Sequence, residues 1–148
     1  MIKVIIEISP AHWHEVAAER LWATPLADGT YRLENSPFYA KGYSYLDIVR
    51  AESVPEQQLP VVTAVLSKSG HSTYAIFVIG GIESNGAFSQ HWEPIESLGC
   101  SFEGVDSELL SVDVPADANI RKAYDLMQLG EDAGVWYFQE QDVGHRVA

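Results

Sequence analysis

Two histidines sit where acid–base chemistry could be done. His71 precedes one predicted strand, and His145 follows the last one. Imidazole exchanges its proton near neutral pH, so these histidines with a carboxylate such as Asp117 could bind a polar ligand or catalyse hydrolysis. Cys100 is the outside candidate for a nucleophile, because thiolates attack electrophilic carbon readily.

A structural role is the alternative for the same four residues. Histidines at loop ends can hydrogen-bond backbone groups, and here they could hold the C-terminal tail against the rest of the chain. Buried free cysteine is usually inert. The sequence therefore assigns no catalytic residue, and His71, His145, Asp117 and Cys100 form only a candidate polar site.

A metal or cofactor site has little support. His12, His14 and Glu15 could offer ligands, but zinc takes three or four, and no other cysteine or histidine has a useful spacing. Surface histidines beside a packed Trp13 explain this segment equally well. Phosphate-cradling and dinucleotide-binding glycine patterns are missing, so we expect no metal and no cofactor.

The charge excludes several classes of partner. The 148 residues include 9 Lys and Arg against 21 Asp and Glu, a net charge of −12. Nucleic acid and anionic membrane surfaces both favour basic proteins, so neither is an expected partner. The longest apolar runs are too short for a membrane span, and a single cysteine favours a reducing compartment. These features predict a cytoplasmic protein.

The negative charge is concentrated in the second half. Residues 1–74 carry 6 basic and 8 acidic side chains, whereas residues 75–148 carry 3 and 13. Glu103, Asp106 and Glu108 cluster on one predicted hairpin, where they could steer a basic partner or simply aid solubility. We therefore expect a non-enzymatic protein-binding module, such as an immunity or antitoxin-like inhibitor of a basic toxin.

Two other functions stay open. One is a small-molecule-binding or hydrolytic domain built around His71 and His145. The other is a regulatory domain of a larger pathway. The sequence leaves the oligomeric state undetermined.

The pattern of strands and turns predicts an α+β fold with two lobes. Short β-branched runs and an Asp28-Gly29 turn signal make residues 1–70 a small β-barrel-like lobe. Residues 71–148 have the ferredoxin-like order β-α-β-β-α-β. The first helix is expected within 87–98, although Pro94 argues against an uninterrupted helix. The second helix can be capped at its start by Asn119 or Asp117 and can end at Gly130.

This order predicts a sheet in which the lobe's own strands lie 4-1-3-2, with both helices on one face. Strand 4 then neighbours strand 1, ~4.8 Å away, which brings His145 beside His71 and leaves Cys100 farther off. Much of the expected core of the lobe comes from the following residues, although alternation along the strands could place some of them on the opposite face: Phe77, Ile79, Val112, Val114, Tyr124, Met127 and Trp136.

Several segments resemble a known family. They include 19–23, 31–38, 70–74, 99–104, 112–115 and Gly144-His145, which together extend over nearly the whole chain. In these segments the chain resembles the bacterial family known as domain of unknown function 4265. The resemblance implies a soluble bacterial protein and supplies no catalytic residues.

Overall fold

A computed structural model describes residues 1–8 and 16–146. Within these ranges the chain forms nine strands and two helices, with the following bounds: β1 Ile2–Glu7, β2 Ala18–Pro25, β3 Thr30–Leu33, β4 Ile48–Glu52, β5 Val61–Ser67, β6 Ser72–Val78, α1 Phe88–Glu96, β7 Ser101–Gly104, β8 Leu109–Val114, α2 Ile120–Asp132 and β9 Trp136–Val143. The candidate ligands His12, His14 and Glu15 lie outside the described residues.

Strands β1 to β5 form a closed barrel in sequence order. Antiparallel pairs join successive strands, and a parallel contact between Ile5 and Val61 closes the barrel. The Asp28-Gly29 turn between β2 and β3 has positive φ at both residues, which suits glycine and is tolerated by aspartate. The predicted barrel-like first lobe is therefore confirmed as a five-stranded barrel.

The remaining strands form a four-stranded antiparallel sheet in the order β7-β8-β6-β9. This is the predicted strand order. Both helices pack on the same face, because side chains of α1 and α2 share one buried cluster with β6, β8 and β9. The predicted boundary near residue 70 falls in the connection between Ser67 and Ser72.

Helix α1 lies within the predicted range 87–98 and continues through Pro94, the residue that argued against an uninterrupted helix. Proline lacks the N–H that would bond the carbonyl of Gln90 four residues earlier, and its ring crowds that carbonyl, so Pro94 destabilises the turn that precedes it. Burial of Phe88, Trp92 and Ile95 stabilises the helix and offsets the free-energy cost of the proline. Helix α2 begins as predicted, with the Asn119 side chain accepting a bond from the Lys122 N–H (3.0 Å), but it continues past the predicted end at Gly130 to Asp132.

The predicted core is correct for four residues and wrong for three. Val112, Val114, Met127 and Trp136 are fully buried, whereas Phe77, Ile79 and Tyr124 are 44%, 40% and 37% exposed. In β6, Tyr74, Ile76 and Val78 face the helices, so the alternate residues point to the opposite face of the sheet. We call that opposite side the helix-free face.

A loop from the barrel covers part of the helix-free face. We call residues 34–47 the covering loop. On the barrel side, the carboxylate of Glu19 on β2 accepts hydrogen bonds from the N–H groups of residues 38–40 at 2.6–3.1 Å. From the sheet, the Ser111 hydroxyl donates to the Pro37 carbonyl (2.8 Å) and the Gln141 amide donates to the Phe38 carbonyl (3.1 Å). Barrel and sheet are thus joined by polar contacts.

Candidate functional site

His71 is oriented by a carboxylate on β8. Its Nδ1 lies 2.8 Å from Asp113 Oδ1, and the Tyr45 ring meets the imidazole edge-on at 5.4 Å between centroids. Burial raises the pKa of Asp113, although the neighbouring His71 and His145 oppose this effect. A buried His–Asp pair of this kind fixes the ring and can serve either structure or proton transfer.

His145 is fixed by both of its ring nitrogens. Nε2 donates to the Pro115 carbonyl (2.7 Å), and Nδ1 lies 2.6 Å from the Ser72 hydroxyl. The Ser72 oxygen also accepts bonds from the N–H groups of Gly144 and His145, so its own hydrogen points to Nδ1. The tail is therefore anchored to β6, which is the structural role that the sequence left open.

The two histidines lie near each other around Asp113, as strand order predicted. His145 bonds the hydroxyl of Ser72, the residue that follows His71, and a side chain on Gly144 would collide with the backbone carbonyl of His71. Asp117 is not part of this arrangement: it is exposed and makes no hydrogen bond or ion pair with any described residue. Asp113 takes the place that was expected for Asp117.

Cys100 does not have the properties of a nucleophile. It is 4% exposed and belongs to the apolar cluster beneath the helices. Burial, with a smaller contribution from Asp113, raises its pKa to about 11, so the thiol stays protonated at neutral pH. Cys100 is thus separated from the histidines by its environment as well as by strand order.

Lys68 joins the two lobes. Its Nζ lies 2.5 Å from Asp47 Oδ2, 2.6 Å from Asp142 Oδ2 and 3.1 Å from the Gly42 carbonyl. Burial lowers the pKa of Lys68, but its bonds with Asp142 and Asp47 outweigh that effect and raise it. The Ser44 hydroxyl extends the network to Thr73 (2.8 Å) and Asp142 (2.6 Å). This network clamps the covering loop to the sheet.

The predicted partner-binding acids are all exposed on the turn and flanking strands of the β7–β8 hairpin. Asp106 Oδ1 accepts bonds from the N–H groups of Glu108 and Leu109 at 2.8 Å, and these bonds lower the pKa of Asp106. Glu103 and Glu108 make no side-chain hydrogen bond or ion pair with the described residues. We call Glu103, Asp106 and Glu108 the acidic hairpin.

An apolar row lies beside the acidic hairpin on the helix-free face. Phe77 stands between Leu109 and Tyr137 in the register of β8, β6 and β9, and the Val105 N–H bonds the Leu109 carbonyl (3.1 Å). Val105, Phe77 and Tyr137 are 47%, 44% and 63% exposed. Sequence reasoning missed this row, because the continuous apolar run of β6 hides which residues face outwards.

A cleft lies where the covering loop meets β7 and β8. Its volume is about 230 Å³, and its lining residues are Glu34, Ser36, Tyr45, Ser101, Phe102, Glu103, Ser111 and Asp113. We call it the junction cleft. Glu103 belongs both to this cleft and to the acidic hairpin.

Across 1–8 and 16–146, His, Cys, Asp and Glu side chains do not come together in threes in a way that could hold a metal ion. Among the same residues, neither helix is long and apolar enough to cross a membrane.

Comparisons with known proteins agree with this architecture. A crystal structure described as a novel structure of a hypothetical protein from Neisseria gonorrhoeae is similar with a TM-score of 0.82 at 19% sequence identity. The alignment covers 97% of this chain and 96% of that one, and at this identity it shows the fold alone. No curated protein matches significantly. Residues 19–138 match the family described as a domain of unknown function (DUF4265), and the chain belongs to that family.

Proposed function

We propose that the chain is a non-enzymatic protein-binding module that docks a basic protein on the helix-free face of its sheet. The observation that carries this proposal is the exposed apolar row lying directly beside the acidic hairpin. Apolar and aromatic side chains supply most of the energy in protein interfaces, and Phe77 and Tyr137 are of that kind. Exposed aromatic rings rimmed by charge are typical of a docking surface.

Charge supports a basic partner. Residues 75–148 carry 13 of the 21 acidic side chains and 3 of the 9 basic ones. Such a field accelerates association with a basic surface and discriminates against acidic ones. Asp106 holds the turn through its backbone bonds, which leaves Glu103 and Glu108 free to contact a partner.

An immunity or antitoxin-like role in the cytoplasm is the specific form of this function that we favour. A small acidic protein can neutralise a basic toxin by covering its active surface, which requires a docking face rather than a catalytic centre. The β-α-β-β-α-β order of residues 72–143 supports assigning this lobe to the ferredoxin-like arrangement, with the docking face opposite its helices.

Hydrolysis around His71 and His145 has less support. His145 uses both ring nitrogens for the tail, and the Cys100 thiol is buried and protonated. A nucleophile must lie within hydrogen-bond reach of its base, and neither property of Cys100 fits that role.

A matched pair of double variants tests the proposed function. A partner is first isolated by affinity capture from the source cell, and its kinetics are measured by surface plasmon resonance. Glu103→Lys with Glu108→Lys should slow association and weaken binding about tenfold or more, whereas Glu52→Lys with Glu56→Lys, an equal charge change on exposed barrel residues, should have a much smaller effect. Equal effects of the two pairs, or a partner with an acidic contact surface, would refute the proposal.

A further inference from the structure

The junction cleft is lined mainly by residues whose side chains carry hydrogen-bonding oxygen atoms. Three carboxylates, three serine side chains, Tyr45 and Phe102 line about 230 Å³, although the Phe102 ring itself packs against Phe88 and Trp92 on the side of the sheet that the helices cover. Pockets for drug-sized molecules usually measure about 300–1,000 Å³, so this volume suits a single side chain better than a cofactor.

Each carboxylate in the cleft keeps at least one oxygen without a partner among the described residues. Glu34 uses only Oε2, which accepts bonds from the Thr24 hydroxyl (2.7 Å) and Arg32 Nε (2.9 Å). Asp113 uses only Oδ1, towards His71. The second oxygens of Glu34 and Asp113, with both oxygens of Glu103, remain to accept bonds from a ligand.

Ser36 points independently to a ligand. This residue is 5% exposed, and its hydroxyl makes no hydrogen bond with any described residue. No fully enclosed side-chain nitrogen or oxygen of the described residues lacks a partner, so the Ser36 oxygen is itself accessible, and Ser36 lines the cleft. A hydroxyl of a largely buried residue that has no protein partner is normally satisfied by water or by a bound group.

We infer that the junction cleft receives an arginine side chain of the basic partner. This inference rests on the proposed function and adds a second contact to it. A guanidinium carries five hydrogen-bond donors and no acceptor, so it complements the carboxylate and hydroxyl oxygens that line the cleft. Its planar face can also pack against an aromatic ring, and Tyr45 supplies one in the cleft.

The electrostatics of the cleft agree with a bound cation. Burial raises the pKa of Asp113 even with His71 at 2.8 Å, so the ionised carboxylate is incompletely compensated there. A second positive charge beside its free oxygen would stabilise the ionised form. Glu103 connects the cleft to the acidic hairpin, so one partner surface can reach both sites.

The probe is the peptide acetyl-Gly-Arg-Gly-amide, with its uncharged citrulline analogue as the control. Titration followed by ¹⁵N–¹H NMR should give saturable shifts at Ser36, Ser101, Glu103 and Asp113. The citrulline peptide should bind at least about tenfold more weakly, because its donors carry no charge. Equal affinity of the two peptides, or shifts located outside the cleft, would overturn the inference.

Two variants of exposed residues on β7 sharpen the result. Ser101→Leu fills the cleft and Glu103→Gln removes a charge, and both should weaken arginine-peptide binding about fivefold or more with an unchanged melting temperature. Glu96→Gln, at the end of α1 and outside the cleft, is the matched charge control and should have no effect. Full binding by Ser101→Leu would contradict the proposed position.

Two further outcomes separate the alternatives. Spermidine that binds the cleft at least tenfold more tightly than the arginine peptide would overturn the assignment to a partner's side chain in favour of a free polyamine. The peptide experiment needs no natural partner. Peptide binding therefore supports the cleft as an arginine-binding site even if the experiment with Glu103→Lys and Glu108→Lys refutes the docking function.

Discussion

The two faces of the second sheet are made by alternate residues of the same strands, yet they have opposite character. The helix-covered face is a continuous apolar cluster that includes Tyr74, Ile76 and Trp136. The helix-free face has polar residues such as Thr73 and Ser111 where the covering loop crosses it, and exposed apolar side chains beyond the loop. One face thus stabilises the fold, which leaves the other available for contacts with other molecules.

The largest difference between the faces should appear in core truncation. Trp136 is fully buried, packs edge-on against Phe88 at 5.9 Å and donates its indole N–H to the Met127 carbonyl (2.9 Å). Trp136→Ala should lower the free energy of unfolding by about 3–5 kcal/mol. Phe77→Ala, one strand away on the other face, should cost less than about 1 kcal/mol.

Urea denaturation of both variants provides the measurement. Similar losses for Trp136→Ala and Phe77→Ala would show that the helix-free face also carries the stability of the sheet. That result would remove the distinction between the two faces.

The sequence predicts most of the fold, because local signals determine it. Turn residues such as Asp28-Gly29 mark the barrel, and apolar spacing marks α2. Strand order then brings His71 and His145 together without knowledge of any contact. The orientation of β6 is not predictable in the same way, because a run of six apolar residues shows no alternation.

Contacts of long sequence separation account for the rest. Ser111 forms a hydrogen bond with Pro37, which lies 74 residues earlier in the sequence. No local sequence pattern predicts that the covering loop lies on the sheet. In the sequence, Asp113 has the pattern of an ordinary strand residue, whereas Asp117 in the following loop is the more obvious partner for a histidine. The junction cleft depends on both lobes, and it therefore becomes visible only in three dimensions.

The Lys68 network between the lobes should have the next largest effect on the free energy of unfolding. Lys68→Met leaves the carboxylates of Asp47 and Asp142 without their counter-ion, and Asp47 is fully buried. The Lys68 side chain is 35% exposed, so solvent screens the ion pair and breaking it costs less than breaking a fully buried one. The free energy of unfolding should therefore fall by about 2 kcal/mol. Urea denaturation at pH 7 measures it.

The same network predicts a pH dependence. The pKa of Lys68 is raised in the folded protein, so its stabilisation is fully present below the ordinary lysine value and is lost as the pH rises through the folded pKa. Wild type should therefore lose its advantage over Lys68→Met above about pH 10.5. A difference that stays constant up to pH 12 would contradict this origin of the stabilisation.

A smaller loss is expected at the tail anchor. His145→Ala removes the bonds to Ser72 and Pro115, and each net hydrogen bond is worth about 1 kcal/mol, so the total loss should be about 1–2 kcal/mol. Hydrogen exchange at Gly144 should accelerate in parallel. The Gly144 N–H donates to the Ser72 hydroxyl oxygen, and that hydroxyl is oriented by its hydrogen bond with His145. Unchanged stability together with a lost binding activity would instead favour a functional histidine.

The smallest effect on stability, with a large one on binding, is expected for the exposed row itself. Phe77→Ser with Tyr137→Ser removes two rings that are already 44% and 63% exposed, so the free energy of unfolding should change by less than about 1 kcal/mol. Aromatic anchors at an interface act mainly on dissociation, so the partner should dissociate at least about tenfold faster. Leu66→Ser with Leu26→Ser, at barrel residues that are 48% and 44% exposed, is the matched control. Surface plasmon resonance that finds equal dissociation rates for the two pairs would place the partner elsewhere, because a docking face must be more sensitive than an equally exposed apolar surface.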